Sequence, residues 1–90
     1  MVRLFVRHQV KDFDTWHGFY KRFADLRERY GVLSEEVFRG VQDRNDVTIS
    51  HDFATLADAE KILASEEMQA ALAEAGVVGM PTAWVVEPSA

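Results

Sequence analysis

Apolar positions follow two different periods along the chain. From Val2 to Val10 they alternate: Val2, Leu4, Val6, His8 and Val10 share one face, and Arg3, Phe5, Arg7 and Gln9 the other. A period of two predicts a strand with one apolar and one mixed face. From Asp14 to Gly31 the period lengthens. Trp16, Phe19, Tyr20, Phe23, Leu26 and Tyr30 recur at helical spacing, which predicts one long amphipathic helix studded with aromatic rings. Asp14 is its expected N-cap, Arg27 and Arg29 suit its negative end, and Gly31 is expected to end it.

Residues 35–41 are charged and read as a peripheral strand. Gln42-Asp43-Arg44-Asn45-Asp46 is the clearest turn. Alternation returns over 47–53, where Val47, Ile49, His51 and Phe53 share a face. Thr55 is the expected N-cap of a second helix, with Leu56, Ala59 and Leu63 as its apolar stripe. Ser65-Glu66-Glu67 repeats the capping signal and predicts a kink or a fresh helix. Met68, Ala71, Leu72 and Ala75 then carry the apolar face to a stop at Gly76. Val77 to Pro81 reads as an apolar loop, and Thr82 to Glu87 as the last strand.

The order β-α-β-β-α-β predicts an α+β, ferredoxin-like sheet with strand order 4-1-3-2 and both helices on one face. Residues 1–90 read as one domain. The uncovered face then carries Arg3, Phe5, Arg7, Thr48, Ser50 and Asp52. No predicted element remains to cover it, so a second copy is expected there.

Composition sharpens that expectation. A 90-residue chain buries only about 60–65% of its unfolded surface, which limits its stability. With no cysteine, neither disulfides nor thiolate metal sites can add to it, and association remains. The net charge is −5, and residues 51–90 hold one basic side chain, Lys61, against seven acidic ones. A nucleic-acid binder would carry a basic stripe; on the first helix Asp25 and Glu28 interrupt the Arg/Lys face. No run reaches membrane-spanning length, and the start lacks a signal peptide's apolar core. A soluble cytoplasmic protein is expected, with no nucleic acid or membrane as partner.

The chain resembles the dimeric α/β-barrel superfamily, which includes the antibiotic-biosynthesis-monooxygenase-like proteins and small polyketide cyclases. The resemblance lies in Val6-Arg7-His8-Gln9-Val10, Asp12-Phe13-Asp14-Thr15-Trp16, Tyr30-Gly31-Val32, Asn45-Asp46-Val47, Phe53-Ala54-Thr55 and Ala75-Gly76-Val77. It spans nearly the whole chain through caps, turns and core positions. It implies two sheets paired face to face into a barrel, with any pocket between sheet and helices of each subunit. Cofactor-free oxygenases of the group rely on Asn and Trp near an aromatic substrate. Trp16 is the implied Trp counterpart, and the only Asn, Asn45, falls in the predicted turn.

His8 and His51 stand where alternation calls for apolar side chains. Burying an imidazole without a partner costs about 1–3 kcal/mol, so each should find one. The partner is either a reacting proton of a ligand or, in a purely structural reading, Tyr20 or a backbone carbonyl. His17, in the helix's first turn, is expected either at the pocket mouth or in solvent. Three imidazoles could hold a metal, but no linear metal motif is present and no cofactor is expected. Trp16, Tyr20 and Phe23 are either core or the wall of a slot for a flat aromatic ligand, with Trp84 as a further wall and Met80 as a lid. The expected function is a small cofactor-free enzyme on an aromatic or polyketide-like molecule. His8 and His51 would move protons, and Trp16, His17, Tyr20, Phe23, Met80 and Trp84 would hold the substrate. A non-catalytic binding module and a histidine metal site are the alternatives.

Overall fold

The computed structural model describes residues 1–89. Four antiparallel strands, β1 (Val2–Val10), β2 (Ser34–Arg39), β3 (Asp46–Phe53) and β4 (Val77–Val86), form one sheet in the order β2-β3-β1-β4. This is the expected ferredoxin-like arrangement. The helices α1 (Phe13–Arg22), α2 (Ala24–Arg29), α3 (Leu56–Ala64) and α4 (Glu66–Glu74) occupy the connections after β1 and β3. The core forms where they meet the sheet: Leu4, Val6, Val10, Val47, Ile49 and Phe53 from the strands, with Phe13, Trp16, Ala59, Ile62 and Ala75 from the helical side.

The first helix departs from expectation at both ends. Its N-cap is Asp12, not Asp14: the Asp12 carboxylate accepts from Thr15 N–H at 2.9 Å and from its hydroxyl at 2.8 Å. Asp14 faces outward, where its one ion pair is Arg44 at 3.4 Å. The predicted single helix is broken at Phe23 (φ −95°, ψ 16°). The Tyr20 carbonyl there accepts from Phe23 N–H and from the Arg27 guanidinium instead of continuing the ladder. A side chain inserted into the i→i−4 series is a recognised cause of such breaks. Gly31 follows α2 at φ +90°, the left-handed stop that a glycine adopts without a Cβ penalty.

The second helical segment splits as expected. Thr55 caps α3 and Ser65 caps α4, each hydroxyl accepting an N–H three residues on. Beyond Gly76 (φ +91°) the expected loop is absent. Residues 77–81 already belong to β4, and the pairing with β1 shifts between Arg7 and Gln9. The shift is a bulge on the edge strand around Gly79 (φ +74°) and Pro81. A proline is tolerated there because an edge strand need not donate on both sides.

Pairing of β1 with β3 sets Leu4 opposite His51 and His8 opposite Val47. The two histidines therefore stand at equivalent places on either side of the Val6–Ile49 pair, on the helix-covered face. Four residues of strand, roughly 13 Å, separate their rows. On β2, Glu35 pairs with His51 and Arg39 with Val47, so each histidine row ends in a charged residue.

Candidate functional site

A cavity of about 500 Å³ lies between the sheet and the α3–α4 segment. Its walls are aliphatic or thioether: Leu4, Val6 and Ile49 from the sheet, Ile62, Met68 and Leu72 from the helices, and Met80 and Ala83 from β4. Two polar side chains line it, Gln69 and His51, and His51 is its only ionisable lining residue. The bulge on β4 contributes Gly79, Met80 and Pro81 to the rim. Met80 is 93% exposed, so it sits at the mouth.

Behind His51 runs a chain of polar contacts. Its Nε2 lies 3.0 Å from the Tyr20 hydroxyl, which is also 3.0 Å from Glu35 Oε2. Arg27 grips Glu35 through two N–H donors, at 2.6 Å and 3.2 Å. The same guanidinium donates to the Tyr20 carbonyl and lies 3.6 Å from the Tyr20 ring centroid. Arg27 is only 3% exposed. A buried guanidinium is stable when its donors are met by a carboxylate, a carbonyl and an aromatic face, and Arg27 has all three.

This setting fixes the charges. Burial pushes His51 down to about 4, although the Glu35 carboxylate works in the other direction. The imidazole is therefore neutral near pH 7. Burial drives the Tyr20 hydroxyl well above its usual value, so it stays protonated. Burial would also raise Glu35, but the hydrogen bond and charge of Arg27 outweigh it and hold the carboxyl below its ordinary value.

The other expected residues are placed differently. His8 lies away from the cavity, buried edge-on to Trp16 with ring centroids 5.5 Å apart. Both of its ring nitrogens are sealed and unpartnered, and burial lowers its basicity. Trp16 is 1% exposed and stacks on Tyr20 at 5.0 Å. Phe23 joins Trp16, Tyr20 and His51 around a second space of about 40 Å³, much too small for an aromatic substrate. His17 is half-buried and stacks on Phe13 and Trp16. It does not reach the other two histidines, and no three His, Cys, Asp or Glu side chains are grouped to hold a metal ion among the described residues. Trp84, expected as a cavity wall, is on the opposite face of the sheet. Its partner in the β1–β4 register is Phe5, and the two rings stack at 5.4 Å. Asn45 is structural: its side-chain oxygen accepts from Phe13 N–H at 2.9 Å and ties the β2–β3 turn to the start of α1.

Arg27 and Glu35 were not expected at the site. The signals were present in faint form. Arg27 is eleven residues after Trp16, three helical turns, and so falls in phase with it. A hairpin centred on Asp43 pairs position 35 with position 51.

No known family profile matches the chain, and no curated sequence is significantly similar to it. Solved structures do match in fold. One is an antibiotic biosynthesis monooxygenase, at a TM-score of 0.77 and 13% identity over 100% of both chains. Another is SnoaB from Streptomyces nogalater, a cofactor-independent oxygenase, at 0.73 and 13%, covering 98% of this chain and 94% of that one. A protein of unknown function from Nitrosomonas europaea matches at 0.77 and 21%, covering 99% and 89%. The chain thus has the α+β fold of the antibiotic-biosynthesis-monooxygenase-like proteins.

Proposed function

We propose that this chain is a small cofactor-free enzyme, acting in the cytoplasm on an uncharged aromatic or polyketide-like molecule held in the 500 Å³ cavity. The observation that carries the reading is the neutral His51 imidazole set in otherwise non-ionisable walls. In this reading His51 accepts a proton from a carbon or hydroxyl acid of the substrate. The electron pair passes into the substrate's own conjugated carbonyl or ring. Return of the proton at another carbon gives isomerisation. Attack of the carbanion on a carbonyl within the substrate, with the proton passed to the resulting alkoxide, gives cyclisation. An oxygenase version adds dioxygen as co-reactant to the same carbanion. The fold shared with a cofactor-independent oxygenase supports the class.

A second reading, a binding module without catalysis, draws on one observation: a histidine pushed down to about 4 is a weak base. The His51→Gln variant separates the two. With quinols and aromatic polyketides as probes, tryptophan fluorescence reads binding and product analysis reads turnover. A working base requires a loss of roughly 100-fold or more in kcat with binding kept. Turnover unchanged in a folded variant removes the role, and binding without turnover in the native chain establishes the module.

We also propose that the face bearing Phe5 pairs with a second copy. Trp84, Phe38 and Val86 are exposed there around the Phe5–Trp84 stack. Two paired ion bridges flank it, Arg3–Asp52 at 2.7 Å and Arg7–Asp46 at 2.6 Å. Sedimentation should show a dimer at micromolar concentration, and a monomer for Trp84→Glu. A monomeric native chain overturns the pairing.

A further inference from the structure

We infer that Glu35, acting through the Tyr20 hydroxyl, holds His51 in a single tautomer, with the proton on Nε2 and Nδ1 left as the proton acceptor. Glu35, Tyr20 and Arg27 are then positioning residues for the base. The inference rests on the reading of His51 as the working group of the cavity, and it specifies which atom works.

The argument is one of donors and acceptors. Tyr20 Oη stands 3.0 Å from both Glu35 Oε2 and His51 Nε2, and the hydroxyl has one proton. Glu35 is ionised, because Arg27 holds it through a two-point contact. An ionised carboxylate only accepts. If Tyr20 gave its proton to His51, its oxygen would confront the carboxylate oxygen at 3.0 Å with no hydrogen between. The hydroxyl must therefore donate to Glu35. Its oxygen is then free to accept, and Nε2 of His51 must carry the proton that fills it. A neutral imidazole carries one proton, so Nδ1 is left with a lone pair. Nδ1 takes part in none of these bonds.

Arg27 keeps the direction of this chain fixed. It holds Glu35 at one end and Tyr20 by its ring face and its carbonyl, so the tyrosine cannot swing its hydroxyl elsewhere. When His51 takes a proton on Nδ1, the imidazolium already donates through Nε2 toward an anionic carboxylate. That carboxylate lies 3.8 Å from the ring nitrogen and opposes the new charge favourably. The site thus needs no second proton transfer to support the charged base. The substrate that fits must bring a proton donor to Nδ1 and carry no charge of its own, since no charged side chain, basic or acidic, lines the cavity to pair with one.

Nitrogen-15 NMR of the His51 ring tests this with no substrate present. The native chain should show the Nε2–H tautomer alone at pH 7. Glu35→Gln supplies an amide that can donate to Tyr20, which frees the tyrosine proton to turn toward His51. A substantial Nδ1–H population should then appear. Tyr20→Phe removes the bridge and should likewise mix the tautomers, and it preserves the ring on which Trp16 and Arg27 pack. An Nδ1–H tautomer in the native chain, or a pure Nε2–H signal in both variants, overturns the inference. The tautomer readout is independent of turnover, so a chain that proves inactive leaves it standing. Where turnover is found, Glu35→Gln should lower kcat roughly 10-fold with KM unchanged; an unaltered kcat with an altered tautomer would sink the proposed base and not its orientation.

Discussion

The two histidine rows of the sheet show what the same residue becomes in two settings. His8 and His51 occupy equivalent places about the Val6–Ile49 pair, on the same face of adjacent strands. At the His8 end Trp16 covers the ring and both nitrogens go without partners. At the His51 end a cavity opens on one side and a tyrosine, a glutamate and an arginine stand on the other. Both rings are made less basic by burial. Only one is joined to anything that can aim it. Burial alone therefore does not set a histidine apart; a directed partner and adjacent space distinguish His51 from His8.

The largest expected effect tests the packing of the two ends. Trp16→Ala at the closed end should cost about 3–5 kcal/mol, since a fully buried large ring is removed from a tight core. Leu72→Ala, which widens a space already open, should cost well under that, about 1 kcal/mol. Chemical denaturation reads both, and equal losses would erase the distinction between a sealed and an open end.

The next effect is one of opposite sign. His8→Leu should stabilise the chain by about 1–2 kcal/mol, because two unpartnered buried nitrogens are replaced by apolar surface. His51→Leu should destabilise it by about 1 kcal/mol, because the Tyr20 oxygen loses its donor. The same sign for both would mean that the polar contacts of His51 add nothing.

The smallest effect is a pH dependence. Both histidines have folded values below the unfolded one near 6.5. As pH falls below about 6.5 the unfolded chain takes up protons that the folded chain refuses, so stability declines, and His51's share is complete below about 4. Above pH 7 both are neutral in either state and contribute nothing. His8→Leu should make this decline shallower. An unchanged slope in a melting series from pH 7 to pH 4 would mean that His8 titrates normally in the fold.

What the sequence reveals divides along the same line. Strands β1 and β3, the caps Thr55 and Ser65 and the stops Gly31 and Gly76 were legible because each depends on a few neighbouring residues. The sheet order followed from connection rules. The site was legible only in part. His51 announced itself as a polar residue on an apolar face, but so did His8, and alternation cannot tell them apart. Arg27 read as a charge near a helix end because its burial depends on a break at Phe23 that it helps to cause. Glu35 lies at the surface, as its charged strand suggests, but its contact with Tyr20 was hidden because that neighbour comes from another element. Trp84 was assigned to the wrong face because Trp84 and Val85 are both apolar, and pairing with β1 decides which one points inward.

The bulge on β4 has one last effect, on how copies of this chain can meet. Pro81 has no amide hydrogen, and with the positive φ at Gly79 it breaks up the regular row of donors that an incoming strand would need. Lateral extension of the sheet past this stretch, the usual beginning of fibrous aggregation, is obstructed. The irregularity that shapes the rim of the cavity thereby also protects the margin of the sheet.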